Sequence, residues 1–438
     1  MRTLLYWTNS GLLYRTGSAS PLIRVQHSGR RLTALLVTAL LLLGALGPVA
    51  LATDTAPAAP APAAPFTLKV KSALLMDAAT GQVLMEQNAD EPLPLASVTK
   101  LITLRLAFKA LHDGKIKLDQ PVVVSENAWA GRLAGSSLMF LKPGDQVTVK
   151  DLLYGITVDS GNDACIAMAE TIAGSVDVFV KQMNDEAASL GLQHANFVDP
   201  HGLSPEDQMS ARDVATDVQS YLQKYPEALT YHSTKEFTYG VDVNSGKPIT
   251  QPNRNGLLWS YPGADGLKTG HTSEAGYNLV GTAKRGDMRL IAVVLGTPDI
   301  VDGRSGEKYR EQAVAQMFNW GFASFADYQP TPPGATVAQL TVYKGSQRQV
   351  AVVPKEAVVV TIPKGNEKGI TSTVKLNQSY VAAPVKKGQT VGTLTLSFGG
   401  QELKRVDLVA AADVPRGGFF RVIWDSLRLL FARVFHRK

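Results

Sequence analysis

Three textures of hydrophobic patterning succeed one another along this 438-residue chain. In the first, which runs from Phe66 to about Asp327, strand and helix periods are mixed. The runs Ala73–Asp77 and Val83–Glu86 flank Thr80-Gly81 and predict a β-hairpin. Leu101, Ile102, Leu104, Ala107, Phe108 and Leu111 then recur at helical spacing, which predicts a helix over Ser97–His112. More helices are expected around Leu152–Tyr154, Ala164–Ala173 and Val178–Leu190, and strands return at Asn278–Ala283 and Leu290–Leu295. Strands at both ends with helices between them give an α+β or α/β domain.

The second texture starts after Pro330. Short β-branched runs follow one another: Gln339–Tyr343, Gln349–Val353, Ala357–Ile362, Thr371–Leu376, Thr390–Phe398 and Lys404–Val409. Gly or Pro-Lys-Gly turns separate several of them, which predicts a small all-β domain ending near Val414. The third texture is Gly417–Lys438. On a helical wheel, Arg421, Asp425, Arg428, Ala432 and His436 share one face, while Phe420, Ile423, Trp424, Leu427, Leu430, Phe431 and Val434 share the other. Charges every third or fourth position rule out a membrane span. A basic amphipathic helix with bulky aromatics fits a membrane surface instead; a helix docked on the protein's own core is the plainer alternative.

Before Phe66 the pattern is of another kind. Leu32 to Leu46 is a short apolar run directly after Arg30-Arg31, followed by Ala50-Leu51-Ala52. This is the layout of a secretory signal peptide over 1–52, with a retained anchor helix as the alternative and Sec and twin-arginine export both open. Residues 53–65, TDTAPAAPAPAAP, lack core-forming side chains other than Ala and read as an extended tether.

Composition narrows the picture. A single Cys excludes an intramolecular disulfide framework and a Cys-cluster metal site. The net charge of +6 is concentrated at the two ends, which leaves 33 basic against 37 acidic residues between 53 and 413. A body of that sign argues against nucleic acid as a partner and for ends that meet membranes.

Candidate chemistry rests on three motifs in order: Ser97-Val98-Thr99-Lys100, Ser160-Gly161-Asn162 and Lys268-Thr269-Gly270. Each is weak alone, and Ser305-Gly306-Glu307-Lys308 and Ser125-Glu126-Asn127 are second copies of the first two. Position separates them. Ser97 opens an amphipathic helix, so Lys100 lies one turn along on the same face, and a helix start offers free N–H groups to a developing anion. Ser305 sits in a Gly-rich loop, and Ser125 reads as a cap. A serine needs a base to attack, and Lys serves where burial or positive charge lowers its pKa. The chain has no H-E-x-x-H pair and no G-x-S-x-G elbow, which disfavours a zinc peptidase and an α/β-hydrolase.

The three motifs, in this order and at these separations, resemble the penicillin-binding protein and serine β-lactamase superfamily. The longer segments around them, with Asp199-Pro200-His201-Gly202-Leu203 and Arg310…Trp320-Gly321-Phe322, resemble D-alanyl-D-alanine carboxypeptidases of the low-molecular-mass class. The resemblance implies a penicillin-binding catalytic domain over 66–327, a β-rich domain over 328–414 and a membrane-anchoring helix over 415–438. It implies that Ser97 attacks the penultimate D-Ala carbonyl of a peptidoglycan stem peptide and Lys100 takes its proton. Ser160 would link Lys100 to the leaving amine, and Asn162 would orient substrate and Lys100. Lys268 and Thr269 would hold the terminal carboxylate with help from Arg310, and Gly270 would allow close strand approach to substrate. Backbone N–H groups of Ser97 and His271 would form the oxyanion hole. No metal or cofactor is implied. β-Lactams would act as covalent inhibitors, and the site would face the outer side of the cytoplasmic membrane. A β-lactamase, a D,D-endopeptidase and a non-enzymatic wall-binding protein are the rivals. His201 is expected to fix its loop, and Cys165 to be a small buried residue.

Overall fold

The computed structural model describes residues 64–242 and 245–435, with side chains to Phe431. The expected export segment 1–52 and nearly all of the tether 53–65 lie outside the described residues.

The first domain is built on a five-stranded antiparallel sheet. Its strands are β1 (Ser72–Asp77), β2 (Val83–Gln87), β3 (Ala264–Thr272), β4 (Gly276–Arg285) and β5 (Met288–Thr297), in the order β2-β1-β5-β4-β3. The hairpin at Thr80-Gly81 is present, and β1 pairs with β5 from Ser72↔Leu295 to Asp77↔Leu290. All six residues of β1 are buried, because helices cover both faces of the sheet. Leu74 and Met76 point to one face with Ile291 and Val293. Ala73 and Leu75 point to the other with Ala292 and Val294. That accounts for the unbroken apolar run, since a strand covered on both sides needs no polar alternation.

The first face packs on α1 (Lys100–His112), α2 (Val149–Thr157), α3 (Asn162–Ala173), α4 (Val176–Ser189) and α5 (Ala211–Lys224). The second packs on α6 (Gly306–Ser324), whose Ala313, Val314, Met317, Phe318 and Phe322 recur at helical spacing. Sequence periodicity did not find α5, α6 or β3. The buried face of α6 includes Arg310 and Gly321, and that of α5 includes Asp213 and Asp217, so neither stripe reads as apolar.

The chain leaves this domain through β6 (Phe325–Thr331). Phe325 lies in the core beside α6, and the strand pairs with β9 (Val358–Pro363) of the next domain. The second domain is all-β. With β7 (Ala338–Tyr343), β8 (Gln349–Pro354), β10 (Ile370–Leu376), β11 (Tyr380–Ala382), β12 (Thr390–Phe398) and β13 (Gln401–Ala410), it forms a sheet in the order β10-β12-β13-β8-β7-β11. Its core is aliphatic, centred on Val352, Leu394, Leu396 and Leu408.

The last element is α7 (Phe419–Phe435). It touches the β domain through a polar corner. Asp425 is 8% exposed and accepts a hydrogen bond from the Lys344 N–H at 2.6 Å. Just upstream, Gly417 N–H donates to Lys344 C=O at 2.8 Å, and Ser346 N–H donates to Pro415 C=O at 2.8 Å. The apolar side of the wheel stays in solvent: Phe419, Phe420, Ile423, Trp424, Leu427, Leu430 and Phe431 are all exposed, Phe420 by 86%. Docking on the protein's own core therefore does not explain the aromatics. No helix among the described residues is long and apolar enough to cross a membrane.

Candidate active site

Ser97 lies in a 3-10 turn, Ala96–Thr99, that runs directly into α1. The helix expected over Ser97–His112 is thus tighter in its first turn, which still keeps Lys100 beside the serine. Lys100 is fully buried. Its ammonium nitrogen is 2.8 Å from Ser97 Oγ, 2.6 Å from Asn162 Oδ1 and 2.7 Å from His201 C=O. Burial is the main force lowering its pKa from 10.5, and the Arg254 charge adds to it. A lysine so placed can hold a neutral amine against a serine hydroxyl, which is what a general base requires.

Two close packings hold this corner. Ala96 adopts φ 48°, and Gly202, at φ 85°, passes so near that a Cβ there would lie 1.9 Å from Ala96 C=O. Only glycine fits. The Gly202 loop is tied by Asp199, which accepts N–H bonds from His201, Gly202 and Ser204. His201 Nδ1 lies 2.8 Å from Asp199, so the ring fixes the loop while its backbone carbonyl holds Lys100. On the opposite side, a Cβ at Gly270 would lie 2.7 Å from Leu95 C=O and 3.0 Å from Ser97 N. Gly270 therefore lets β3 approach the backbone of the nucleophile's own turn; this is a different contact from the expected approach to substrate.

The second motif sits where α2 ends and α3 begins. Ser160 has φ 60°, a left-handed conformation uncommon for a side-chain-bearing residue and often found at functional corners. Its hydroxyl is 2.9 Å from Lys268 Nζ; Lys100 bonds Ser97, Asn162 and His201 instead. Asn162 also donates to Ser136 Oγ at 2.9 Å. Beneath them, Asp163 accepts N–H bonds from Met139, Leu141 and Ala164. Its neighbour Asp159 is buried with Oδ1 unpartnered. Burial, with the Asp163 charge, pushes the Asp159 carboxyl up to about 8.

Lys268 is 2% exposed on β3. Burial drives its pKa well below 10.5, and the Lys100 charge acts in the same direction. It lies behind Ser160; Thr269, Gly270 and His271 form the strand edge facing the cleft. Arg310 reaches the same edge from α6, but its guanidinium is engaged, donating to Gly270 C=O at 3.1 Å and Asn278 C=O at 3.2 Å. His271 is exposed and stacks on Tyr277 with ring centroids 3.8 Å apart. The cleft between these elements has a volume of about 610 Å³, with Ser97, Ser160, Asn162, Thr269 and Arg310 in its lining.

The structure thus brings Ser97, Lys100, Ser160, Asn162, Lys268, Thr269, Gly270, His271 and Arg310 to one place. It adds residues that the motifs did not single out. Ser136 and Ser137 line the cleft from a Gly135-Ser136-Ser137 loop, and Arg254 enters it as an exposed cation. The small-residue run and the Asn253-Arg254-Asn255-Gly256 turn are weak signals that could have drawn notice. The second copies fall outside. Ser305 N-caps α6, and Ser125 accepts from the Asn127 and Ala128 N–H groups. Cys165 is fully buried.

Residues 56–299 match the D-alanyl-D-alanine carboxypeptidase family, and residues 325–416 match the C-terminal domain of penicillin-binding protein 5. The chain belongs to the D-alanyl-D-alanine carboxypeptidase family. It is 42% identical over 367 residues to the D-alanyl-D-alanine carboxypeptidase DacC of Escherichia coli, covering 83% of this chain and 88% of that one. Among solved structures, penicillin binding protein 5 from Haemophilus influenzae superposes with a TM-score of 0.71 at 36% identity, covering 81% of this chain and all of the other. Penicillin-binding protein D2 from Listeria monocytogenes, solved with ampicillin bound, matches 59% of this chain and 99% of its own at 28% identity and a TM-score of 0.51. As a member of this family the chain is a hydrolase, a D-alanyl-D-alanine carboxypeptidase.

Proposed function

We propose that this enzyme removes the terminal D-alanine from peptidoglycan stem peptides through an acyl-enzyme on Ser97. The observation that carries the reading is the fully buried Lys100 amine 2.8 Å from Ser97 Oγ. Neutral Lys100 takes the Ser97 proton as Oγ attacks the penultimate D-Ala carbonyl carbon. Backbone N–H groups of Ser97 and His271 meet the oxyanion, since Gly270 brings β3 against the Ser97 turn. When the C–N bond breaks, the proton held by Lys100 returns to the departing amine; Ser160 bonds Lys268 at 2.9 Å, so its hydroxyl must turn to Lys100 to relay that proton. Water then attacks the ester, Lys100 takes its proton, and Ser97 leaves with that proton to restore the free enzyme. Asn162 holds the Lys100 amine and the substrate amide.

The terminal carboxylate is met by the Thr269 hydroxyl and by positive potential from three cations. Arg254 is the exposed one; Lys268 acts from behind Ser160, and Arg310 fixes the strand edge. β-Lactams, ampicillin among them, acylate Ser97 as analogues of the same dipeptide end. The catalytic domain spans 66–327 and the β-rich domain 328–414. Segment 1–52 directs export, and 415–438 holds the enzyme on the outer face of the cytoplasmic membrane. The exposed apolar face of α7 supports that last assignment.

The test is release of D-alanine from a synthetic pentapeptide. Ser97→Ala should abolish both release and covalent labelling by fluorescent penicillin. Persistent labelling of the native enzyme distinguishes a carboxypeptidase from a fast-turnover β-lactamase. Labelling that survives in Ser97→Ala would reassign the nucleophile.

A further inference from the structure

The junction between α7 and the β domain holds a cavity of about 210 Å³ that the peptidase chemistry does not use. Its lining brings together three arginines from two elements. Arg421 and Arg428 come from α7, and Arg348 comes from the turn between β7 and β8. Arg421 donates to Ser346 C=O at 3.3 Å. The Arg428 guanidinium lies 5.6 Å from the centre of the Trp424 ring. Arg348 is exposed, and none of the ion pairs among the described residues includes it. One carboxylate lines the same cavity, that of Asp425, and its Oδ2 is already committed to the Lys344 N–H. The cavity wall therefore carries an excess of two positive charges.

Three guanidiniums around one small space repel one another unless an anion joins them, and Arg forks match the oxygens of a phosphate diester. The rim decides which anion. Trp424 lines the cavity and is 60% exposed, and Phe420, Leu427 and Phe431 continue the same apolar face into solvent. A free phosphate has no use for that rim. A lipid does, because its headgroup would sit among the arginines while its acyl chains meet the aromatics.

We infer that Arg348, Arg421 and Arg428 form a headgroup site for an anionic phospholipid, made jointly by α7 and the β domain. This rests on the reading of α7 as a membrane-surface helix and goes beyond it. A generic basic helix needs no contribution from the β domain, whereas this site is incomplete without Arg348. The Asp425–Lys344 bond then acts as a positioning contact, holding α7 at the angle that closes the site.

The experiment uses the full chain, purified in detergent and diluted into vesicles of phosphatidylglycerol with phosphatidylcholine, or of phosphatidylcholine alone. Arg348→Ala removes one site cation without touching the amphipathic helix. Lys387→Ala removes an exposed cation at the same end of the domain, near the Val385↔Val414 bridge. Loss of one diffuse charge near an anionic surface weakens binding by about fivefold, whereas loss of a charge-assisted hydrogen bond costs more, roughly ten- to a hundredfold. The expected result is a loss of at least about tenfold for Arg348→Ala on phosphatidylglycerol vesicles, with a smaller loss for Lys387→Ala and unchanged D-Ala release in both. Equal losses in the two variants would overturn the site and leave the helix reading intact. Failure of the native chain to bind any vesicle would overturn the helix reading itself. A second arm titrates Trp fluorescence with a short-chain phosphatidylglycerol below its micelle concentration and with inorganic phosphate. Saturation by the lipid alone, lost in Arg348→Ala, supports the site; equal saturation by phosphate overturns the lipid assignment.

Discussion

The two domains bury different kinds of residue. The catalytic domain buries Lys100, Lys268, Arg310, Arg105, Asp159, Asp163 and Asp217, all at most 3% exposed. Beyond residue 327, the buried polar residues among those described are only Thr361 and Asp425. Burying charge costs several kcal/mol per ion unless partners restore what water gave. The first domain carries that cost at the cleft, where burial lowers the pKa of Lys100 and of Lys268. The second has an aliphatic core and gives up nothing for chemistry. Its one buried acid belongs to the joint with α7. Not every buried charge in the first domain is catalytic, however. Arg105 bonds Asp217 at 2.5 Å beneath α1 and α5, with Glu186 and Lys109 completing a network remote from the cleft. The cleft set is distinguished by Lys100 and Lys268, whose bonds go to hydroxyl, amide and carbonyl oxygens and not to a carboxylate.

Lys100→Met should give the largest separation between the domains. It removes the proposed base, so D-Ala release should fall by roughly 10²–10⁴-fold, measured as kcat/KM on a pentapeptide, while the β domain melts unchanged. The native enzyme's pH profile sharpens this. A depressed Lys100 pKa makes the neutral base available below 10.5, so the acylation rate should rise with pH and be lost as pH falls through that lowered value. Acylation by penicillin that is flat from acid to alkaline pH would show that Lys100 is not the base.

Leu396→Ala probes the other side. Leu396 is fully buried in the β core, and its truncation should destabilise that domain by about 2–5 kcal/mol. Hydrolysis of a soluble peptide should change by less than about twofold, because the site lies in another core. A parallel loss of activity would mean that the two domains are coupled.

Lys268→Ala should lower kcat/KM by roughly ten- to a hundredfold, the loss of one charge-assisted interaction. Stability should hold or rise. A buried amine with a depressed pKa binds its proton more readily when unfolded, so at neutral pH it favours the unfolded chain. Substrates with an amidated C-terminus should lose this discrimination; if they are cleaved as well as free acids, the cation does not serve the carboxylate.

The smallest effect is expected for Asp159→Asn. The carboxyl is raised to about 8, so the folded chain keeps its proton over a range where the unfolded chain has released it. Stability therefore falls as pH rises from about 4 towards 8. The amide removes that loss, and the variant should gain about 1–3 kcal/mol over the native protein at pH 8 and little at pH 4, read from denaturant midpoints. A gain that is the same at both pH values would point to packing instead of ionisation.

The sequence by itself determined the β runs of the second domain, the α1 stripe, the amphipathic tail and the order of the three motifs. Each is a local matter: side chains two, three or four positions apart reveal their own period and capping. Ser97 and Lys100 meet because the 3-10 turn that runs into α1 sets them one turn apart on the same side. Only the tertiary structure decided what Ser160 bonds, why Gly202 and Gly270 must be glycine, and that Ser136 and Arg254 share the cleft. Those facts depend on residues 26 to 175 positions apart in sequence passing within contact distance. The helix α6 was hidden for a related reason. Its buried stripe contains Arg310 and Gly321, residues that read as polar or neutral until the strand carbonyls of Gly270 and Asn278 are there to receive the arginine. Periodicity records which face of an element avoids water. Which charges survive burial depends on partners that only the folded chain supplies.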